Sequence, residues 1–141
     1  MDILSGLNNE QRSAVTHGEG PLLILAGAGS GKTKTLTHRI AYLIREMGVF
    51  PSKILAVTFT NKAAREMRER LARLLGESAD NRGFMPWMGT FHSICVRLLR
   101  QDGMAIHIPT RFVIYDEDDK LGLIRQIMKQ HGLTDRDIKP R

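Results

Sequence analysis

The chain has 141 residues, 42% of them apolar and 26% charged, which is the make-up of one soluble globular domain able to bury a core. No apolar run approaches the ~18 residues that span a bilayer, and no basic-then-apolar leader opens the sequence, so neither a membrane span nor secretion is expected. A single cysteine, Cys95, excludes an internal disulfide and fits a reducing cytoplasm, while a net charge of +6 favours an anionic partner such as nucleic acid.

Asn8 or Asn9 can cap a short helix running to about His17, which Gly18-Glu19-Gly20-Pro21 ends. Leu22-Leu23-Ile24-Leu25-Ala26, bounded by glycines, predicts a short buried strand. From Lys32 to about Met47, Leu36, Ile40, Leu43, Ile44 and Met47 recur at helical spacing, and Gly48 followed by Pro51 supplies a stop. A second strand, Ile54-Leu55-Ala56-Val57-Thr58-Phe59, leads into a helix from Asn61 to about Leu75, stopped by Gly76. That alternation is the pattern of a parallel sheet with crossover helices, so the fold class is α/β.

Residues 77–83 are polar and read as a surface loop. A short strand is expected within residues 85–89, and Thr90 can cap a helix from Phe91 to about Gln101. After Gly103 an apolar stretch, Phe112-Val113-Ile114-Tyr115, precedes a helix that begins at Asp116 and carries Leu121, Ile124, Ile127 and Met128 on one face. Asp116 to Asp119 put negative charge at its positive end. Residues 134–141 look like a boundary, and there is no internal repeat or low-complexity tract.

The chemistry concentrates in Ala26-Gly27-Ala28-Gly29-Ser30-Gly31-Lys32-Thr33. It follows the pattern G-x-x-x-x-G-K-[ST], with Ala26 in place of the first glycine. Small residues are needed because backbone N–H groups must turn inward around phosphates, and a side chain would block their approach. Lys32 is placed to neutralise the β- and γ-phosphates, Thr33 to offer its hydroxyl to Mg²⁺, and the helix that starts here adds its positive end. A strand before and a helix after are what this mechanism requires, whereas a plain Gly-rich turn with an accidental lysine requires neither. The loop alone does not say how the triphosphate is used, since kinases, GTPases and motor ATPases share it.

Three further segments narrow the reading. Leu7-Asn8-Asn9-Glu10-Gln11-Arg12-Ser13-Ala14-Val15 precedes the loop. Val57-Thr58-Phe59-Thr60-Asn61-Lys62-Ala63-Ala64-Arg65-Glu66-Met67 follows it, and Gly89-Thr90-Phe91-His92-Ser93 comes later. In order and spacing, over essentially the whole chain, the set resembles the start of superfamily 1 DNA helicases of the UvrD/Rep/PcrA type. Alanine at the first loop position is usual in that family, so Ala26 fits it.

The resemblance implies the N-terminal part of a RecA-like P-loop lobe over residues 1–108, with a parallel sheet that is incomplete here. The opening helices of an inserted helical subdomain follow over residues 109–141, with the boundary between residues 90 and 108. It implies ATP as the nucleotide, with Gln11 reading adenine through one carboxamide donor and one acceptor. Lys34 stands where relatives commonly carry an arginine near the base, and lysine cannot stack as a planar guanidinium does. Phe59, Thr60, Asn61 and Lys62 correspond to a segment that contacts single-stranded DNA: Phe59 as a stacking face, Thr60 and Asn61 toward phosphate oxygens. Thr90, Phe91 and His92 form a second such segment. Without the family, Phe59 reads as core, and Thr90-Phe91-His92 as a helix cap with a buried ring and a satisfied histidine.

Two features compete with these sites. The helix after Asn61 carries Lys62, Arg65, Arg68, Arg70 and Arg73, but Glu66 and Glu69 sit at i,i+4 spacing to several of them. A solvated, internally paired face therefore accounts for the stripe better than DNA does, Lys62 excepted. Phe112 to Glu117 mimics an apolar strand ending in the acidic pair of an ATPase, yet capping of the following helix accounts for Asp116 to Asp119. The family's acidic motif lies much further along the chain.

The function implied is ATP-driven movement on single-stranded DNA with 3′-to-5′ unwinding at duplex/single-strand junctions, in DNA repair or replication. The piece alone, lacking the acidic motif and the second lobe, is expected to be inactive. Alternatives are a helicase–nuclease of the same superfamily, a self-contained P-loop module or kinase, and a non-catalytic DNA-binding adaptor.

Overall fold

Free N–H groups at a helix start need acceptors, and Asn8, Thr60, Thr90 and Asp116 supply them for four of the five helices described below. The computed structural model describes residues 2–81 and 83–133. Helix α1 (Asn9–Thr16) opens on a reciprocal pair, in which Gln11 N donates to Asn8 Oδ1 at 2.8 Å and Asn8 N donates to Gln11 Oε1 at 3.2 Å. Helix α2 (Lys32–Arg45) starts instead from Gly31, which stands in the left-handed region at φ 85°. Gly48, at φ 67°, turns the chain just beyond its end.

Strand β1 (Ala56–Thr58) runs into helix α3 (Asn61–Leu75), whose N-cap Thr60 accepts from Ala63 N at 3.1 Å and whose C-cap Gly76 is left-handed. Strand β2 (Met88–Thr90) pairs with β1 in parallel, with Ala56 opposite Met88, Val57 opposite Gly89 and Thr58 opposite Thr90. The α/β pattern with a parallel pairing is therefore present, as a two-stranded sheet bridged by α3. Helix α4 (Phe91–Asp102) follows β2 directly.

The core lies where α2, α3 and the sheet meet. Ile40 and Ala41 from α2 pack with Met67, Leu71 and Ala72 from α3, with Ala56 and Met88 from the strands, and with Ile3, Ile54, Phe84 and Met85. Contacts of this kind, at about 25 cal/mol per Å² of apolar surface buried, supply most of what opposes chain entropy.

The chain divides into two compact units, Met1–Leu98 and Leu99–Arg141. In the second, Ile108 N donates to Gly103 O at 2.9 Å to close the turn after α4, and the Arg100 guanidinium lies over the Phe112 ring. Helix α5 (Glu117–Gln130) opens on its own reciprocal cap: Asp119 N donates to Asp116 Oδ1 at 2.8 Å, and Asp116 N to Asp119 Oδ2 at 3.2 Å. Of its expected face, Met128 is buried, Leu121 and Ile124 are half-buried, and Ile127 is exposed.

One expectation is overturned. Residues 22–26 are not a buried strand: they carry no ladder hydrogen bonds, and Leu23 and Leu25 are 80% and 87% exposed. A strand hidden on both faces needs a neighbour along each edge and a layer on each side, and the described residues place none there. Strand β1 is likewise shorter than the apolar run from Ile54 to Phe59, because only its middle finds β2. Residues 134–141, read as a boundary, lie outside the described residues.

What holds α1 against α2 is a guanidinium. Arg39 Nη1 donates to the carbonyls of Ala14, Val15 and His17 at 3.0, 3.3 and 2.8 Å, answering the free carbonyls at the end of α1. His38 Nδ1 donates to Ile3 O at 2.5 Å, and Lys34 Nζ donates to Gly6 O at 2.6 Å, pinning the segment before α1 to the same helix. Arg39→Met should therefore lower unfolding free energy by roughly 1.5–3 kcal/mol, the range for hydrogen bonds from a charged donor, measured as a urea midpoint shift at constant slope.

Candidate functional site

The loop from Ala26 to Thr33 joins the exposed segment 22–26 to α2, and its shape comes from two glycines. Gly29 and Gly31 stand at φ 76° and 85°, a region costing an L side chain about 1–2 kcal/mol. Ser30 Oγ donates to Gly27 O at 2.7 Å across the turn between them. A Cβ at Gly31 would lie 2.7 Å from Gln11 Nε2, so this glycine is needed twice over.

Lys32 occupies the first turn of α2 and reaches back over the loop. Its Nζ donates to Ala26 O at 2.8 Å and Gly27 O at 2.6 Å, so the ammonium is held inside the curve of the backbone. Thr33 follows it, exposed, at the positive end of a 14-residue helix. The start of α2 has no side-chain cap, and loop, ammonium and hydroxyl converge there. These groups fit a polyphosphate with a divalent cation: Lys32 and the helix end would meet the phosphates, and Thr33 would meet the metal. Among the described residues no group of three or more His, Cys, Asp or Glu side chains is placed to hold a metal ion by itself.

Gln11, expected to read adenine, is brought to the loop: Nε2 donates to Ser30 O at 3.1 Å while Oε1 serves the cap of α1. A cavity of about 250 Å³ is lined by Gln11, Asn8, Ala26, Ser30, Lys32 and Thr35 among others, so the carboxamide and the ammonium face one space. Lys34, the other expected base contact, is turned the other way toward Gly6 and helps line a separate cavity with Arg70 and Arg73. Ala26, Gly27 and Ala28 are exposed along the loop.

The second candidate region forms where the two parallel strands end. Thr58 and Thr90 are partners in the ladder, so the next residue of each strand, Phe59 and Phe91, emerges at the same edge. Their ring centroids are 5.3 Å apart at an interplanar angle of 43°, within the range of attractive aromatic pairs. Phe59 is 89% exposed and Phe91 45%, so neither ring is core. Thr60 caps α3, with its own carbonyl accepting from Thr58 Oγ1 at 3.0 Å. Thr90 caps α4, accepting from Ser93 N at 3.2 Å, and is buried. Asn61, Lys62 and His92 are exposed beside them. Thr90 thus fills the capping half of the alternative reading of its segment, while Phe91 and His92 depart from the buried half.

One cavity of about 370 Å³ connects the two regions, lined by Lys32, Thr33 and Leu36 on one side and Phe59, Thr60 and Ala63 on the other. Val57, Thr58 and Met67 also line it.

The basic stripe on α3 divides in two. Arg65 pairs with Glu69 and Arg70 with Glu66, each at 3.9 Å on the exposed face, and such pairs contribute about 0.2–1 kcal/mol. Arg68 leaves the stripe and turns inward, where Nη2 donates to Met85 O and Met88 O, both at 3.1 Å. Asp116 and Asp119 cap α5, and Glu117 pairs with Lys120 at 2.7 Å, which is the structural role weighed against catalysis.

Sequence reasoning missed Arg39 and Arg68, because an arginine that binds distant carbonyls leaves no local pattern. Read without the family, Gln11 is a solvated or helix-capping side chain, and the capping box with Asn8 is the capping form of that reading.

A family model described as the UvrD/REP helicase N-terminal domain matches residues 7–141. The chain is 50% identical over 139 residues to the ATP-dependent DNA helicase PcrA of Staphylococcus aureus (strain Mu50), covering 99% of this chain and 18% of that protein. It is 53% identical over 139 residues to the ATP-dependent DNA helicase PcrA of Bacillus subtilis (strain 168), again 99% and 18%. The chain thus spans about a fifth of the length of the curated relatives it matches.

Gly31→Ala should destabilise the fold by at least about 1 kcal/mol and displace Gln11, read as a lower melting temperature with shifted Gln11 side-chain amide resonances. Gly27→Ala meets no heavy atom within 4 Å and should stay within about 0.5 kcal/mol of the parent.

Proposed function

The chain belongs to the UvrD/REP helicase N-terminal domain family, and we propose that it is the ATP-binding N-terminal portion of a DNA helicase that moves 3′-to-5′ along single-stranded DNA. In this reading residues 1–108 are the first part of a RecA-like lobe, and residues 109–141 open an inserted helical subdomain. The parent acts in the cytoplasm on duplex/single-strand junctions, in repair or replication.

The observation that carries it is the cavity shared by Lys32 and Thr33 with Phe59 and Thr60. A group that responds to the charge on a γ-phosphate there lies next to the residue that offers a stacking face to a base. Ligands that meet in one space couple by contact, without a long relay.

Each residue has a role in this reading. The N–H groups of Gly27 to Gly31 and the ammonium of Lys32 bind the phosphates, Thr33 offers an oxygen to Mg²⁺, and Gln11 turns its carboxamide to adenine. When bound, Mg²⁺ held in part by the Thr33 hydroxyl would supply positive charge beside that of Lys32 to offset the charge of the phosphates. Phe59 and Phe91 hold successive bases, while Thr60, Asn61, Lys62, Thr90 and His92 meet the sugar-phosphate chain. Lys34 is assigned a weaker part at the nucleotide, since its ammonium is already bonded to Gly6 O.

The test compares Mg·ATP binding by the wild type and Lys32→Ala, with and without a short single-stranded oligodeoxynucleotide. Lys32→Ala should weaken Mg·ATP binding at least tenfold and leave DNA binding within about twofold, because a lost charged contact to phosphate is worth about 1.5–3 kcal/mol. Equal nucleotide binding by both would sink the ATP assignment. Phe59→Ala should reduce DNA affinity by roughly 1–3 kcal/mol without changing Mg·ATP binding, measured by fluorescence anisotropy. With Asp116, Glu117 and Asp119 occupied at α5, the chain alone should release no phosphate above background, with or without DNA. Robust DNA-stimulated release would return Asp116 and Glu117 to the catalytic reading.

A further inference from the structure

A parallel pair of three-residue strands cannot fix its own alignment. Such a ladder has few hydrogen bonds, and a slip of one residue sends every side chain to the opposite face. Yet the pairing of Thr58 with Thr90 is what puts Phe59 beside Phe91. Some contact outside the ladder must hold β2 in place along β1.

Arg68 makes that contact. It sits two turns into α3, the helix whose N-cap, Thr60, directly follows Phe59. From there Nη2 donates to Met85 O and to Met88 O, the two ends of the turn that opens β2. The same turn is closed by Met88 N donating to Met85 O at 3.2 Å, and it enters the ladder through Ala56 N donating to Trp87 O at 3.0 Å. One rigid helix therefore carries Phe59 at its start and grips, through Arg68, the strand that delivers Phe91.

The position tolerates a cost to keep this grip. Arg68 Nη1 is buried with no hydrogen-bond partner among the described residues, and burial pulls the guanidinium below its ordinary pKa. An unsatisfied buried donor costs about 1–3 kcal/mol, so an apolar side chain would serve better if filling space were the only need. A guanidinium is a rigid plane whose nitrogens stand at fixed angles to its stem, so it sets the direction of both contacts in a way that a freely rotating ammonium does not.

We infer that Arg68 is a positioning residue for DNA stacking, setting the alignment of β2 so that Phe59 and Phe91 form one aromatic platform. The DNA part of this inference rests on the function proposed above, while the alignment part stands on the chain alone.

The experiment uses the 141-residue chain, with Arg68→Lys as the main variant and Arg68→Met as the stronger one. Proton–proton NOEs between the Phe59 and Phe91 rings are recorded first. They should be present in the wild type and weakened or lost in Arg68→Lys, while the Gly29 and Gly31 amide resonances stay in place. Rings still in full contact in a folded Arg68→Lys, or not in contact in the wild type, would overturn the inference. Should Arg68→Met fail to fold, the lysine variant decides alone. Affinity for an oligodeoxynucleotide carrying 2-aminopurine is read next, and Arg68→Lys should lower it about 5- to 30-fold, the factor for 1–2 kcal/mol. In a Phe91→Ala background the same change should have no further effect, because Arg68 acts through that ring. An equal loss in both backgrounds would mean that Arg68 acts elsewhere. A wild type that binds no single strand would count against the proposed function and leave the ring measurement to decide the alignment.

Discussion

The contact of Arg39 with the carbonyl end of α1 is the interaction on which the Ala26–Thr33 loop and its surroundings depend. Helix α1 has eight residues and one fully buried apolar side chain, Val15, too little to hold it by packing. Its place comes from polar side chains on α2 that bond backbone carbonyls: Lys34 at Gly6, His38 at Ile3, Arg39 at the last turn. Those bonds orient Gln11 over Ser30 and make α2 the shared support of the loop and of the residue facing it. Ile40 and Ala41 of the same helix pack with Met67, Leu71 and Ala72 of α3, so one helix links the core to the loop.

The loop is exposed from Ala26 to Ser30 and at Lys32 and Thr33, with Gly31 half-buried. Its conformation is held by glycines rather than by burial, and Gly31 is constrained both by its torsion angle and by the Gln11 amide. Lys32 gains local bonds to Ala26 and Gly27 carbonyls, an arrangement that neutral carbonyls hold less strongly than a phosphate would.

The aromatic edge follows a different logic. Parallel strands send their ends the same way, so residues just past them collect at one edge, which is where ligands bind in open α/β sheets. Here that edge carries two exposed rings and two threonine caps, and it shares a cavity with the loop. The sheet is small, and its alignment leans on α3 through Arg68.

The sequence by itself determined what is local. Helix limits near Asn9, Asn61 and Gly76, the caps at Asn8, Thr90 and Asp116, and the loop from Ala26 to Thr33 all follow from short-range hydrogen bonding and backbone torsion, which a few neighbouring residues decide. The family was also legible there, because its motifs are local signatures in a fixed order. Tertiary structure alone decided the rest. It left residues 22–26 exposed rather than paired, since a strand depends on neighbours that its own residues do not encode. It brought Phe59 to Phe91 and Gln11 to Ser30, and it turned Arg68 inward while Arg65 and Arg70 stayed on the surface. Those outcomes depend on which backbone carbonyls arrive within reach of a long side chain, and chain spacing carries no record of that.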